Sequence, residues 1–511
     1  MAVVATTPTS SVANAELRVA AVSPRVGMVF ADNENVQIEV QVTGANGAAT
    51  VEYTITETEG PYKTHGQIAA GAEGTILPLK LPGRGHYQLT LVATSQGQTA
   101  KSISTIGIVF PPAKPEAASP WGVMYTPPNW FGRKDYVQSA EDSAENLRML
   151  GVSWVRYNFY LARAEPKIAR RGGNPNVTTK FFLEPIQLKP LRQKGFIIMG
   201  EICGMPTPLS TRPNEHATVR DAGELRNRVK PRDYALWDSL VTNIAAEFRK
   251  DISAWEIWNE PNQPSLGYWA DSPDEFLEFV EHTSKALRAG NPQTKVVGCG
   301  FVHVNDVIDH QLQRGMAKYL DVISVHYVNE YPEIQAWQDL LKKHDVALPI
   351  WCTEERVEVP MIAFSHGVER NFDFMHVGLP GPPGEGEYHA LCNTDFTVRP
   401  TGIWFSVGAH CIGSGKFTES AKLGNEDYLA AHFARGKEDV FVLTRLKDKA
   451  DLIKLALDVQ PLNAQKPVTI TDRMGHSENL VLKDGRVQIA LENRPMLFVN
   501  GAAAVSIIEP K

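Results

Sequence analysis

The chain has 511 residues, room for about three domains at roughly 150 residues each. With 43% hydrophobic and 21% charged residues, 39 Gly and 34 Pro, it is not collagen-like, disordered or a disulfide scaffold. Its 51 Lys and Arg against 58 Asp and Glu give a net charge of -7 without a basic arm, which argues against nucleic-acid binding, and no apolar run approaches the roughly 20 residues of a membrane span. Tryptophan is uneven: all ten lie between Trp121 and Trp404, so the middle of the chain uses large flat rings that its two ends do without.

The opening residues, through Ala13-Asn14-Ala15, carry a small-residue cleavage pattern but no charged or apolar leader. They read either as the trimmed remnant of an export signal, which places the protein in the periplasm or outside the cell, or as a loose terminus. Five cysteines (203, 299, 352, 392 and 411), three of them in apolar strand-like runs, predict free buried thiols.

Residues 16–110 alternate apolar and polar side chains, as in Val36-Ile38-Val40-Val42, Val51-Tyr53-Ile55 and Tyr87-Leu89-Leu91, with Gly, Asn and Pro clusters between. The pattern predicts an immunoglobulin-like β-sandwich over residues 1–112. Three prolines between Pro111 and Pro115 open a stiff linker, 113–120.

From Trp121 the pattern changes. Eight short apolar runs (Gly122–Tyr125, Trp154–Phe159, Phe196–Ile202, Ala254–Asn259, Val296–Val302, Val322–His326, Ile350–Thr353 and Asn371–Met375) alternate with helical stretches. The helices include Val137–Leu150, Phe181–Lys194, Tyr234–Phe248, Pro273–Ala289, Ile334–Lys343 and Pro400–Ile412. Eight βα units predict a parallel (β/α)8 TIM barrel over 121–415; a doubly wound sheet would show a Gly-rich turn after its first strand, and none follows Tyr125. Strand patterns return over 416–511, at Val440–Leu443, Val468–Thr471 and Leu480–Leu482. From the last of these Lys483-Asp484-Gly485 turns into Val487-Ile489-Leu491, which predicts a second small β-sandwich.

The chemistry concentrates in two segments. Trp255-Glu256-Ile257-Trp258-Asn259-Glu260-Pro261-Asn262 closes the fourth barrel strand, where catalytic groups of such barrels sit, and Pro261 ends the ladder just after the acid. Ile350-Trp351-Cys352-Thr353-Glu354-Glu355 closes the seventh, 94 residues after Glu260. Two carboxylates at one level of one barrel face suit glycosidic bond cleavage, one protonating the leaving oxygen and one attacking the anomeric carbon. Successive strand residues face opposite ways, so only one of Glu354 and Glu355 enters the site; motif register favours Glu354.

Trp-Asn-Glu-Pro on strand four followed by Thr-Glu on strand seven resembles the retaining glycoside hydrolases of clan A, and Trp255 to Asn262 is most similar to family 39 and related exopolysaccharide hydrolases. The resemblance covers Trp121 to about Lys416 and implies Glu260 as acid/base, Glu354 as nucleophile and Asn259 on the sugar 2-hydroxyl. It implies Arg156 as the group that keeps the nucleophile ionised, with His326 and Tyr327 beside it. The substrate it implies is a poly- or oligosaccharide with an equatorial-type bond (β-D or α-L), with no cofactor and no metal. Relatives often carry His-x-Tyr on strand six where this chain has His326-Tyr327-Val328, leaving open which ring touches Glu354. Many relatives also carry an indole on strand eight, where this chain has Phe374 and His376.

Trp121, Trp130, Trp258, Trp269, Trp351 and His376 are the candidate sugar-stacking residues; Trp154, Trp237, Trp337 and Trp404 read as packing. A structural hydrogen bond or a substrate contact would equally explain Glu256, and Glu201 and Asp373 are weaker site candidates. A phosphate-binding loop at Ile412–Lys416 is excluded by its glycine spacing and by Phe417, and no zinc motif occurs. Transglycosylation, and sugar binding without catalysis, remain as alternatives.

Overall fold

The computed structural model describes residues 16–508 except 46, 172, 220–222, 264–267, 329–330, 356–362, 365, 379–389, 424, 436–437, 446–453, 462–466, 484–485 and 491–495. Eight strands close into a parallel barrel. They are β1 (Trp121–Met124), β2 (Trp154–Tyr160), β3 (Ile197–Cys203), β4 (Ala254–Ile257), β5 (Lys295–Val302), β6 (Val322–His326), β7 (Ile350–Glu355) and β8 (Val368–Asp373). Helices α1 (Tyr136–Met149), α2 (Glu184–Gln193), α3 (Tyr234–Glu247), α4 (Pro273–Gly290), α5 (Asp306–Gln313) and α6 (Tyr331–Lys343) follow the first six strands, and α7 (Pro400–Ile412) follows the eighth.

Parallel strands are covered on both faces, which is why these segments read as apolar runs rather than alternations; every residue of β4 and β6 is buried. The helices begin where the sequence supplies caps. Asp135, Asp233 and Asn305 accept hydrogen bonds from the first turns of α1, α3 and α5. Ser272 and Glu275 form a capping box on α4, with Pro273 at its first position. Phe276, Phe279, Val280, Thr283 and Leu287 form the buried face of α4.

One layer closes the N-terminal end of the barrel from inside: Trp154, Met199, Ala254, Val297, Val322, Trp351 and Phe372 pack together there. The Arg370 guanidinium stacks 3.9 Å from the Trp154 ring centre and 4.2 Å from that of Trp351, and donates to the carbonyls of Ala117 and Ser119. The proline-rich segment before β1 is therefore tied to the barrel end rather than hanging free, since Trp154 Nε1 also donates to the Ala117 carbonyl. All five cysteines are free and buried.

Residues 16–109 form a five-stranded and a three-stranded sheet around one apolar core that includes Val40, Val51, Ile55, Leu89 and Leu91. Val29, Ala31 and Val109 belong instead to the barrel's own core, so this unit packs directly on the barrel. The C-terminal strands form one hydrogen-bonded network. Met496–Ile508 joins it together, pairing with Glu438–Arg445 and Thr469–Asp472 through its first half and with Lys454–Pro461 through its second. Within it Arg486–Ala490 pairs with Lys454–Pro461, and Ser477–Asn479 with Thr469–Asp472. The turn expected at Lys483-Asp484-Gly485 falls on residues 484–485, outside the described residues. Among the described residues no helix is long and apolar enough to cross a membrane.

The two flanking units meet around a cavity of about 840 Å³. Arg473 donates two hydrogen bonds to Glu59, and Arg84 reaches Asp32, the Gly475 carbonyl and Ser477. His476 Nδ1 lies 2.9 Å from Asp472 and Nε2 2.7 Å from Glu57, so both bonds to ionised carboxylates require an imidazolium. Its pKa is raised by the Asp472 hydrogen bond, burial opposing, with Glu57 adding. The stabilisation is therefore complete below the ordinary histidine range and is lost as pH rises through the raised value. Thermal unfolding of His476→Gln should show a deficit on the order of 1 kcal/mol near pH 5.5 that shrinks by about pH 9. A deficit independent of pH would contradict the ion-pair account.

Candidate active site

At the C-terminal ends of the strands, one guanidinium organises the site. Arg156 of β2 is fully buried. Its Nη1 donates to Glu354 Oε1 at 2.6 Å, its Nε to Glu256 Oε2 at 2.6 Å and its Nη2 to Asn259 Oδ1 at 3.1 Å. Glu354 Oε2 accepts from the Tyr327 hydroxyl at 2.8 Å, so both carboxylate oxygens of Glu354 are held. Glu256 Oε1 accepts from Thr353 at 2.8 Å, which gives this inward-facing strand acid a structural hydrogen-bond role.

His326 stands between the two carboxylates. Its Nδ1 is 2.9 Å from Glu260 Oε1 and 3.6 Å from Glu354 Oε2, and an oxygen of each acid and a ring nitrogen all lie within 4.8 Å of one another. Such a trio has metal-ligand spacing, but Arg156 and Tyr327 already engage both oxygens of Glu354. Burial alone would raise the Glu354 pKa; the charges of His326 and Arg156, with hydrogen bonds from Tyr327 and Arg156, outweigh it and hold the carboxyl below its ordinary value. Burial lowers the His326 pKa, yet Glu354 and the Glu260 hydrogen bond carry it above the usual histidine value against Arg156. Burial chiefly, then the neighbouring acids, keeps the Tyr327 phenol protonated.

The backbone is bent to make this possible. Trp258, Glu260 and Tyr327 have φ of 68°, 45° and 55°, the left-handed region that side-chain-bearing residues avoid. At the end of β4 this turns Trp258 outward while Asn259 and Glu260 face the site. Gly300 of β5, at φ 61°, lies under the His326 ring; a Cβ there would fall 2.6 Å from Nε2, so the imidazole requires glycine. Strict alternation on β7, where Trp351 and Thr353 point inward, would turn Glu354 away. A register irregularity spanning Cys352 and Glu355 resets it, and Glu354 rather than Glu355 meets Arg156, Tyr327 and His326.

The structure thus gathers Arg156, Asn259, Glu260, His326, Tyr327 and Glu354, and it resolves the strand-six departure by giving His326 to Glu260 and the Tyr327 hydroxyl to Glu354. It does not bring most of the expected stacking residues there. Trp121 packs outward against Phe364 and Phe405. Trp258 and Trp269 pack on each other and on Phe279 of α4, with their N–H groups spent on the carbonyls of Tyr268 and Ser272. Trp351 lies in the layer that closes the barrel end. His376 is buried against Asn146 of α1, 2.9 Å away, its pKa lowered to about 3 by burial, so it is a neutral packing ring. Only Trp130, after β1, keeps an exposed indole (37%) among these candidates. Trp404, expected among barrel packing residues, faces the C-terminal unit, under Arg473 and bonded to Met474. Glu256 and Thr353 are the support that sequence reasoning underrates; an acid inside an otherwise apolar parallel strand is the signal.

Residues 201–344, from the end of β3 to α6, match the family model described as Glycosyl hydrolases family 39. No curated protein sequence matches the chain. Among solved structures, a family 39 glycoside hydrolase from the gut symbiont Bacteroides cellulosilyticus WH2 is similar over 93% of this chain and 99% of its own, with a TM-score of 0.70 at 16% identity. A glycoside hydrolase family 30 subfamily 8 xylanase from Clostridium acetobutylicum (76% and 98%, TM-score 0.52, 14% identity) and a GH39 β-xylosidase from Caulobacter crescentus (78% and 98%, TM-score 0.51, 15% identity) share the barrel architecture.

Removing the guanidinium should leave three acids facing one another in a buried space. Arg156→Ala is expected to cost about 3–5 kcal/mol of unfolding free energy in denaturant titration. A loss under about 1 kcal/mol would mean that the cluster reorganises without it.

Proposed function

Starting from a glycosidase whose residues 201–344 match family 39, we propose that the enzyme cleaves an equatorial-type bond (β-D or α-L) in a poly- or oligosaccharide by double displacement with retention. The observation that carries this is the spacing of the acids. Oxygens of Glu260 and Glu354 within 4.8 Å suit a direct attack by one acid, because an inverting pair needs roughly 6.5–9.5 Å to seat a water. Glu354, kept ionised by Arg156, attacks the anomeric carbon while Glu260 protonates the leaving oxygen. Glu260 then takes a proton from water as the glycosyl ester is hydrolysed.

Asn259 spends its carbonyl end on Arg156, so its amide donor is left for the sugar 2-hydroxyl, a contact that strengthens as the oxocarbenium ion develops. The exposed indole of Trp130 is the stacking platform in this reading. Flanking loops contribute too. Arg163, Lys167, Arg170 and Lys180, around the hairpin that follows β2, have no ion-pair partner among the described residues, so acidic oligosaccharides belong in a substrate panel alongside the xylosides suggested by two neighbours' names. The two flanking β units, the first immunoglobulin-like, act in this reading as structural companions of the barrel. Polysaccharide outside the cytoplasm is the substrate in this reading.

Proton NMR of the first-formed product should show retained anomeric configuration, and inversion would refute the mechanism. Glu354→Ala should lose at least about 10³-fold in kcat and yield the inverted glycosyl azide with added azide, whereas Glu260→Ala with an activated aryl glycoside should yield the retained azide. Transfer rather than hydrolysis would appear in the same products as lengthened glycans. Trp130→Ala should raise KM roughly five- to tenfold, about 1 kcal/mol, with an unchanged unfolding midpoint. An unaltered KM would remove Trp130 from the site.

A further inference from the structure

One buried acid has no task in this mechanism. Glu201, near the end of β3, is fully buried, and among the described residues neither of its oxygens completes a hydrogen bond. It sits 3.1 Å from Nη2 of Arg156, the nitrogen that also donates to Asn259. Parallel register sets it beside Asn158 of β2 and Glu256 of β4. A single guanidinium is therefore faced by three carboxyl groups, Glu201, Glu256 and Glu354, at 3.1, 2.6 and 2.6 Å. The two nearer acids have further donors in Thr353 and Tyr327; Glu201 has none among the described residues.

We propose that Glu201 is a positioning residue that governs how firmly Arg156 holds Glu354. The proposal rests on the double-displacement reading for what Glu354 does. As the uncharged acid, Glu201 leaves the guanidinium to Glu354, Glu256 and Asn259. As a carboxylate it competes for Nη2, draws the guanidinium toward β3 and loosens the nucleophile and the 2-hydroxyl contact together. The groups facing it decide where that change falls. Burial raises the Glu201 pKa to about 8, with Arg156 opposing, Glu256 and Glu354 adding to the rise and His326 opposing. Cys203, two residues along the same strand, stays a thiol throughout, because burial holds its pKa well above the ordinary value.

The test is the pH profile of kcat/KM for a 2,4-dinitrophenyl glycoside drawn from the panel above, whose leaving group needs no proton, so that the acid role of Glu260 drops out. The wild-type profile should fall at least about threefold above pH 8, whereas Glu201→Gln, scaled to its own acid-side plateau, should stay level to about pH 9. A readout independent of catalysis accompanies it. The unfolded Glu201 ionises near pH 4.5 and the folded one later, so the melting temperature of Glu201→Gln relative to wild type should climb from about pH 4.5 to about pH 8 and then level off. A wild-type profile flat to about pH 9, or two superimposable profiles, overturns the proposal even if the melting curves diverge. Undiminished turnover by Glu354→Ala would instead overturn the reading on which it rests.

Discussion

Everything at the catalytic face depends on one buried positive charge. Taking a guanidinium out of water costs several kcal/mol, a cost offset only where anionic and polar groups surround it with good geometry. Arg156 meets that condition by drawing on β3, β4 and β7 at once, through Glu201, Glu256, Asn259 and Glu354. The closed barrel makes this arrangement available: parallel strands converge their ends on one axis, so side chains a hundred or more residues apart come within hydrogen-bond reach. The opposite end of the same axis is packed shut by Trp154, Trp351, Phe372 and their neighbours, which keeps the polar cluster to one mouth.

The cluster is also why the backbone departs from ideal geometry here. Left-handed conformations at Trp258, Glu260 and Tyr327 and the irregular register of β7 are each unfavourable alone, on the order of 1 kcal/mol for each strained residue. They persist because the surrounding packing is strong. Trp258, once turned out, gains an aromatic nest of Trp269 and Phe279, so the bend that delivers Asn259 and Glu260 inward is anchored by apolar burial outside the barrel.

The same bends explain which features the sequence makes legible. Barrel strands announce themselves because strands covered on both faces must be continuously apolar, and helices because caps such as Ser272 with Glu275 mark their starts. Glu260 and Glu354 are readable as acids at strand ends, where burial without purpose is too costly to be casual. The tryptophans are not readable in this way. An indole gains from burial on either side of a strand, so its presence near a catalytic motif does not say which way it faces, and a single left-handed residue reverses the answer. Parity on β7 misleads for the same reason: counted from Trp351, it points to Glu355, and only the register irregularity restores Glu354. In the C-terminal unit, the pairings of Met496–Ile508 with three strands from well before it in the chain join segments far apart in sequence, which no local turn signal can announce.

On the double-displacement reading, negative charge moves during each turnover. Glu354 loses its charge to the ester bond as Glu260 gains one by giving up its proton. A cation placed against only one of the two acids would favour one half of the reaction at the expense of the other. His326 avoids this, since its Nδ1 lies 2.9 Å from Glu260 and 3.6 Å from Glu354 and can follow the charge without a change of rotamer. Gly300 beneath the ring and the Tyr327 hydroxyl on Glu354 fix that intermediate position from two sides. Arg156 cannot play this part, because its contacts reach Glu354 and not Glu260. The two cations therefore divide the work: the guanidinium favours the resting state, with the nucleophile charged, and the imidazole evens out the two halves of the cycle.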